Sequence, residues 1–245
     1  MSFRQSCAAY VILGLAVLLG CGSLAIYILF LFFGSFNLVR LGLSETAVLV
    51  LDACLCLTFF IQHSFMIRKP FRRWLGKFVN DDFYQALYAI TSGVFLLTLI
   101  IFWQQSSYTL AAAQGGFRWF IRVIFFLAIA GMGWSNVALG VTDTFGLYRI
   151  LWHLRCTVPP PRPFVVRGPY MWVRHPQYFC SLLLVWGQPD LPSDRLLFNI
   201  LFTGWVFIGI FFEERDLVGE YGDEYRDYQH KVPMLIPYRR KQGVI

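Results

Sequence analysis

The 245 residues of this chain predict an all-α, polytopic integral membrane protein: one helical bundle of about six transmembrane segments. Composition is the first observation. Hydrophobic residues make up 57% of the chain and charged ones 14%, where a soluble domain carries about 25%. Mean hydropathy is +0.56. So apolar a chain cannot cover a water-facing surface, which makes the lipid bilayer its solvent and first partner. The second observation is where the charges are not. They cluster, and the gaps between clusters are as long as a membrane span, about 20 residues.

The first gap runs from Cys7 to Val39 without a charge. It follows Arg4, as a signal peptide would. It is too long for one and has no clear small-x-small cleavage site, so a retained helix is expected. The second gap runs from Thr46 to Ile67, interrupted by Asp52 and His63. The third covers Phe83 to Trp103 and the fourth Val123 to Val141. Two shorter segments follow, Tyr178 to Trp186 and Leu196 to Phe212, around Gly187-Gln188-Pro189-Asp190-Leu191-Pro192. That turn chemistry predicts a helical hairpin over 177–212, with Ser193 or Asp194 capping its second helix. The first arm is too short to cross the full bilayer alone. Residues 1–245 thus read as a single membrane domain. Residues 1–140 supply four transmembrane helices, and 141–245 supply the hairpin and a short cytoplasmic helical tail, 213–245.

Lys and Arg in short loops set orientation. One loop holds Arg68, Lys69, Arg72, Arg73 and Lys77, and another holds Arg149, Arg155, Arg162, Arg167 and Arg174. The loops at 41–45, 104–116 and 187–194 are nearly free of bases. Both termini and all basic loops are therefore expected in the cytoplasm, although Arg118 and Arg122 run against the pattern. The membrane would be the inner membrane of a bacterium, or the endoplasmic reticulum or nuclear envelope of a eukaryote. The net charge of +7 is then a topology signal with some attraction to anionic lipid. No basic soluble module exists to bind nucleic acid. Six cysteines form no C-x-x-C pair. Cys54 and Cys56 lie about 200° apart on a helix and cannot hold one metal together, so they read as packing residues and no metal is expected.

Ionisable residues inside or at the ends of a membrane bundle are functional candidates. Three clusters qualify. In Arg167–Tyr178, Gly168-Pro169 makes a turn and Pro176 suits the first position of a helix. Arg174 and His175 then stand at the helix mouth, where free N–H groups and the positive dipole end suit a carboxylate or phosphate. The alternative is a basic loop held at lipid headgroups, with Tyr170, Trp172 and Tyr178 as an interfacial belt. In the second cluster, Glu213, Asp216 and Glu220 share one face and suit a cation, or form a solvated acidic helix partnered by Arg215 and Arg226. In the third, Gln62-His63-Ser64 sit near the end of a span and imply inward pairing or a polar cavity. Asp52, nearly three turns deeper, must be protonated, paired or in a wet cavity. An acidic helix and an anion-friendly helix mouth together suit a zwitterionic ligand with positive centres, of which S-adenosylmethionine is one.

Two motifs carry a family resemblance. G-P-Y-x-x-V-R-H-P-Q-Y, Gly168 to Tyr178, and E-E-R-D-L-x-x-x-Y-G-x-x-Y-x-x-Y, Glu213 to Tyr228, resemble the isoprenylcysteine carboxyl methyltransferase superfamily of membrane methyltransferases. Gln62-His63-Ser64-x-Met66, Trp186, Pro189 and Val232-Pro233-Met234-Leu235-x-Pro237 are most similar to its methanethiol S-methyltransferase and nurim (NnrU-like) branch. The segment 143–163 departs from the usual pattern, and a substrate entrance would lie there. The resemblance implies S-adenosyl-L-methionine as cofactor. It places Arg174, His175 and Tyr178 near the cofactor's amino-acid end, Glu213 and Glu214 near its ammonium or adenosine groups, and Tyr225 and Tyr228 closing the pocket. Gly168, Tyr170 and Pro176 belong to the same site. Gln62, His63 and Ser64 are assigned to the acceptor, and His63, Arg174 and His175 to catalysis.

The activity so implied is methyl transfer to a small or lipophilic thiol by in-line displacement, with no metal. The alternatives are methylation of a carboxyl or amine on a prenylated or lipid acceptor, and a non-catalytic nurim-like structural protein.

Overall fold

The computed structural model describes residues 3–140, 143, 145–155, 157 and 164–237, with side chains from residue 7 onward. The proline-rich run 159–163 with Arg162, as well as Val141, Thr144 and Cys156, lies outside the described residues, as do the last residues of the tail, 238–245.

The helices are α1 (Phe3–Leu15), α2 (Gly22–Phe33), α3 (Glu45–Ile67), α4 (Lys69–Leu75), α5 (Asp81–Phe102), α6 (Gly115–Leu139), α7 (Leu147–Leu154), α8 (Pro176–Trp186), α9 (Ser193–Tyr221) and α10 (Asp223–Lys231). Among the described residues, five segments are long and apolar enough to cross a membrane: Cys7–Phe33, α3, α5, α6 and α9. At 11 residues, α8 falls short of a span. The fold is mostly helical, as expected, with one small sheet. Strands β1 (Thr109–Ala112) and β2 (Asp190–Pro192) pair antiparallel. Turn residues at 187–192 leave backbone groups without helical partners, and the strand pairing satisfies them. The chain divides into two compact units, Met1–Tyr108 with Asp143–Pro161 and Ser193–Phe198, and the remainder.

In the first unit, a π-helical turn, Ala16–Cys21, joins α1 to α2. It bulges against α5 at Gly93, where a Cβ would run into the Leu19 backbone. Gly93→Ala is therefore expected to cost about 1–3 kcal/mol through overpacking, read as a lower thermal midpoint in detergent. Phe30, Trp103 and Phe198 meet edge-to-face with centroids 5.5 to 6.1 Å apart. Beside them Asp194 does not cap α9, which starts without a side-chain cap. Its carboxylate instead accepts from Trp103 Nε1 at 2.9 Å and Ser106 N at 3.0 Å. A buried indole N–H and a buried backbone amide need an acceptor, and the Asp194 carboxylate supplies it to both. Ser193 Oγ turns to the Tyr108 carbonyl instead. Asp52 is fully buried, and one of its oxygens accepts from Gln104 N at 3.0 Å.

At the basic end of this unit, Asn80 caps α5 by accepting from Asp82 N. Asp81 pairs with Arg72 and Arg149, and Asp82 with His153. Asp143 accepts from Tyr148 N and Arg149 N and so caps α7.

In the second unit, α6 and α8 pack closely. Gly131 of α6 leaves room for the Cys180 sulfur of α8. Arg118 makes a bidentate pair with Asp190, both contacts at 2.7 Å, and Arg122 donates to Gln188 Oε1 at 3.1 Å. The two bases that break the charge pattern are thus engaged by the hairpin turn. Helix α9 does not break at residue 213. It continues to Tyr221 and stops at Gly222, whose φ of +59° is favourable to glycine. The acidic cluster is therefore the last two turns of a long helix.

Candidate functional site

In the second unit the chain is prepared for Arg174 and His175 by a tight turn. Gly168 has φ +59°, and a Cβ there would sit 3.0 Å from that of Ala138. Arg167 Nε donates to the Ala138 carbonyl at the end of α6. A 3₁₀ turn, Gly168–Met171, then leads to Pro176 at the start of α8.

Glu214 is the hub of the cluster. Its carboxylate accepts from Arg174 Nε at 2.8 Å and Nη2 at 3.1 Å, from Tyr225 OH at 2.9 Å and from Gln229 Nε2. His175 Nε2 lies 2.7 Å from Glu214 Oε1. Arg174 Nη1 donates to the carbonyls of Gln229 and Val232 at 3.0 and 2.7 Å. The segment after α10 closes over the mouth of α8: Arg174 N and His175 N donate to Pro233 O and Met234 O at 2.9 and 3.1 Å. Tyr228 OH donates to Tyr170 O at 2.6 Å, and Tyr225, Tyr228 and Val232 form a buried cluster with Phe164.

This geometry sharpens the expected roles. Arg174 and Glu214 neutralise each other with their polar atoms engaged, so they hold the site's shape. The two backbone N–H groups expected to greet an anion are taken by the tail. Glu213 differs: its side chain is 44% exposed against 14% for Glu214, and its carboxylate lies 3.9 Å from His175 Nδ1. An open carboxylate beside a buried imidazole has the chemistry to accept a cation. The ring of Tyr178 stands 5.7 Å from that of His175.

Burial raises the phenol pKa values of Tyr225, Tyr228 and Tyr170, with the Glu214 charge adding to the effect at Tyr225 and Glu213 adding to it at Tyr170. The neutral phenol is the form the fold favours. Its contribution is full below the ordinary value of 10.0 and is lost as pH rises above it. A pH series of thermal midpoints should therefore fall above pH 10, and Tyr225→Phe should flatten that fall.

In the first unit, His63 meets Tyr88. The hydroxyl lies 3.0 Å from Nδ1 and 2.7 Å from Nε2, so it serves either tautomer. Gln62 Nε2 donates to Met66 Sδ at 2.9 Å and reaches Ser92 Oγ at 3.5 Å, while its Oε1 is buried with no hydrogen-bond partner among the described residues. Ser64 is half-buried. Tyr88 and Ser92 were not singled out from the sequence. Tyr84, Tyr88 and Ser92 recur every fourth residue along α5, and that polar stripe was the available signal. Gln229 was missed as well. Among the described residues, no group of three His, Cys, Asp or Glu is placed to hold a metal.

A family model described as NnrU protein matches residues 50–191, which include Gln62, His63 and the Arg174–His175 turn. The methanethiol S-methyltransferase of Pseudomonas sp. (strain GM41(2012)) is 32% identical over 82% of this chain and 77% of its own. Methanethiol S-methyltransferase 1 of Bradyrhizobium diazoefficiens is 30% identical over 80% of this chain and 70% of its own. A protein-S-isoprenylcysteine O-methyltransferase of Tribolium castaneum is 30% identical over 54% and 52%. No solved structure matches.

Proposed function

Because this chain belongs to the NnrU protein family, we propose that it is an S-adenosylmethionine-dependent membrane methyltransferase whose acceptor is a small or lipophilic thiol. Membership of a group of named methyltransferases over four-fifths of the chain carries this reading. The open carboxylate of Glu213 beside His175 fits a donor with positive centres. When bound, that donor supplies an electrophilic methyl group on sulfur.

The protein's residues do the rest. Glu213 and His175 bind and orient the donor. Glu214, clamped by Arg174, Tyr225 and Gln229, fixes the position of His175. At the acceptor, the thiolate is the nucleophile, and His63 takes the thiol proton while Tyr88 holds the ring. The acceptor sulfur loses a proton and gains a methyl group, and the bond from that methyl to the donor sulfur breaks with its electron pair left on the donor. The products are a thioether, S-adenosylhomocysteine and a proton. Alignment of the two sulfurs supplies much of the rate. On this reading α8 and α9 complete a six-segment bundle with both termini in the cytoplasm.

Calorimetry of the detergent-purified protein with S-adenosylmethionine, followed by a thiol screen for S-adenosylhomocysteine release, tests the proposal. Saturable binding and thiol-dependent release are expected, and absence of binding overturns it. The isoprenylcysteine O-methyltransferase match favours a second reading, a lipid-linked carboxylate as acceptor. Release with a prenylcysteine and none with any thiol would select it.

A further inference from the structure

A cavity of about 330 Å³ lies between α3 and α5, lined by Leu51, Cys54, Leu55 and Thr58 of one helix and Phe95 and Thr98 of the other. We propose that this groove is the acceptor site and takes a thiol with an extended apolar chain, its S–H directed at Gln62. The proposal rests on the reading above that the chain methylates a thiol, and it names the class of thiol.

Three observations carry it. The groove is apolar in spite of its two threonines, because Thr58 and Thr98 hydroxyls donate back to Cys54 O and Val94 O of their own helices at 2.7 and 2.9 Å. It also runs towards the polar cluster. Gln62 is one helical turn beyond Thr58 on the same face of α3, Ser92 is one turn from Phe95 on α5, and Gln62 Nε2 reaches Ser92 Oγ. Finally, Gln62 Oε1 is a buried acceptor without a donor among the described residues of the first unit. Such an atom is destabilising unless a ligand or water supplies a hydrogen. A donor-headed chain lying in the groove supplies one at the place where His63 and Tyr88 await its proton.

The volume decides the class. At about 330 Å³ the groove is at the small end of ligand pockets, and still more than a one-carbon thiol fills. Methylation removes the S–H, so the thioether no longer satisfies Gln62 and is free to leave along the apolar wall. Cys54, Thr58 and Thr98 are exposed at the groove, so the chain enters from the acyl region of the bilayer. A phospholipid acyl chain is the competing occupant. It has no donor at the depth of Gln62.

The test uses the full chain in phospholipid nanodiscs with S-adenosylmethionine and n-alkanethiols of one, four and eight carbons. Specificity, kcat/KM from S-adenosylhomocysteine release, should rise by about tenfold or more from the shortest thiol to the longest. Longer thiols also partition better into lipid, so Thr58→Trp is the control. It should lower the octanethiol-to-methanethiol ratio by about tenfold, with donor binding showing that the variant is folded. A ratio unchanged by Thr58→Trp overturns the groove and leaves thiol methylation standing.

If no thiol is turned over, the methylation reading fails, and the groove is judged by alkylation of Cys54 with N-ethylmaleimide, read on the Cys54 peptide by mass spectrometry. 1-Octanol should slow alkylation roughly fivefold more than methyl octyl ether, which lacks a donor, and Gln62→Leu should erase the difference. Equal protection by alcohol and ether, as a mere acyl filler gives, overturns the proposal.

Discussion

Glu214→Ala should lower the thermal midpoint of the purified protein by roughly 10 °C and abolish S-adenosylmethionine binding, while Glu213→Ala should keep the midpoint and lose affinity alone. The two glutamates are adjacent and chemically identical, so the difference is one of environment. Glu214 is the shared acceptor of Arg174, His175, Tyr225 and Gln229. Removing it strands the Arg174 guanidinium, whose side chain is only 11% exposed, without a counter-charge. Breaking one side of a buried pair costs about 3–5 kcal/mol, and a chain of this size loses about 2–4 °C per kcal/mol. The loss also frees α10 and the strap at Pro233 and Met234 from α9. Glu214→Gln keeps the volume but places an amide among donors, so its midpoint should fall between those of wild type and Glu214→Ala. Equal midpoints for Glu213→Ala and Glu214→Ala would remove Glu214 from its place at the hub.

The bundle was legible because lipid imposes a one-dimensional rule: a span is a gap in charge. Helices α3 and α5 follow the predicted gaps closely, whereas Cys7–Phe33 stops short of Val39 and α6 starts at Gly115, well before Val123, and takes in Arg118 and Arg122. The rule is silent about what the few polar residues inside the gaps contact. Asp194 reads as a helix cap from its position, yet turns inward because Trp103 and Ser106, distant in sequence, present donors. Asp52 reads as protonated, paired or wet, and pairs with a backbone amide of Gln104 that no pattern announces. The short strands escape for the same reason, since β1 exists only because β2 does. At the site, spacing groups Glu213 with Asp216 and Glu220, and only the family resemblance brings Arg174, His175, Glu213 and Glu214 together. It did not show that Glu214 faces inward and Glu213 outward, which depends on the rotation of α9 where it passes residue 213 unbroken. Gln229 and Tyr88 occupy ordinary helical positions, and only their partners mark them.

His63→Ala should reduce the rate of thiol methylation by about 100-fold at neutral pH while leaving the dissociation constant for S-adenosylmethionine within about twofold. The imidazole lies in the first unit against Tyr88 and Phe59, and donor binding is assigned to other residues, Glu213 and His175. A neutral thiol is a poor nucleophile, so the loss should fall on kcat. It should narrow as pH rises, because hydroxide then supplies the thiolate that His63 no longer provides. Tyr88→Phe keeps the ring stack and removes the hydroxyl, so it should cost only about fivefold, the worth of one hydrogen bond. A purely structural His63 would give another pattern: loss of folded protein, weaker donor binding, and a deficit that does not change with pH. The pH-dependent narrowing is the discriminating result, since packing defects do not respond to hydroxide. A His63→Ala protein that turned over thiol at the wild-type rate would remove His63 from the proton's path and leave Tyr88 and Gln62 as the polar groups to be tried at the acceptor.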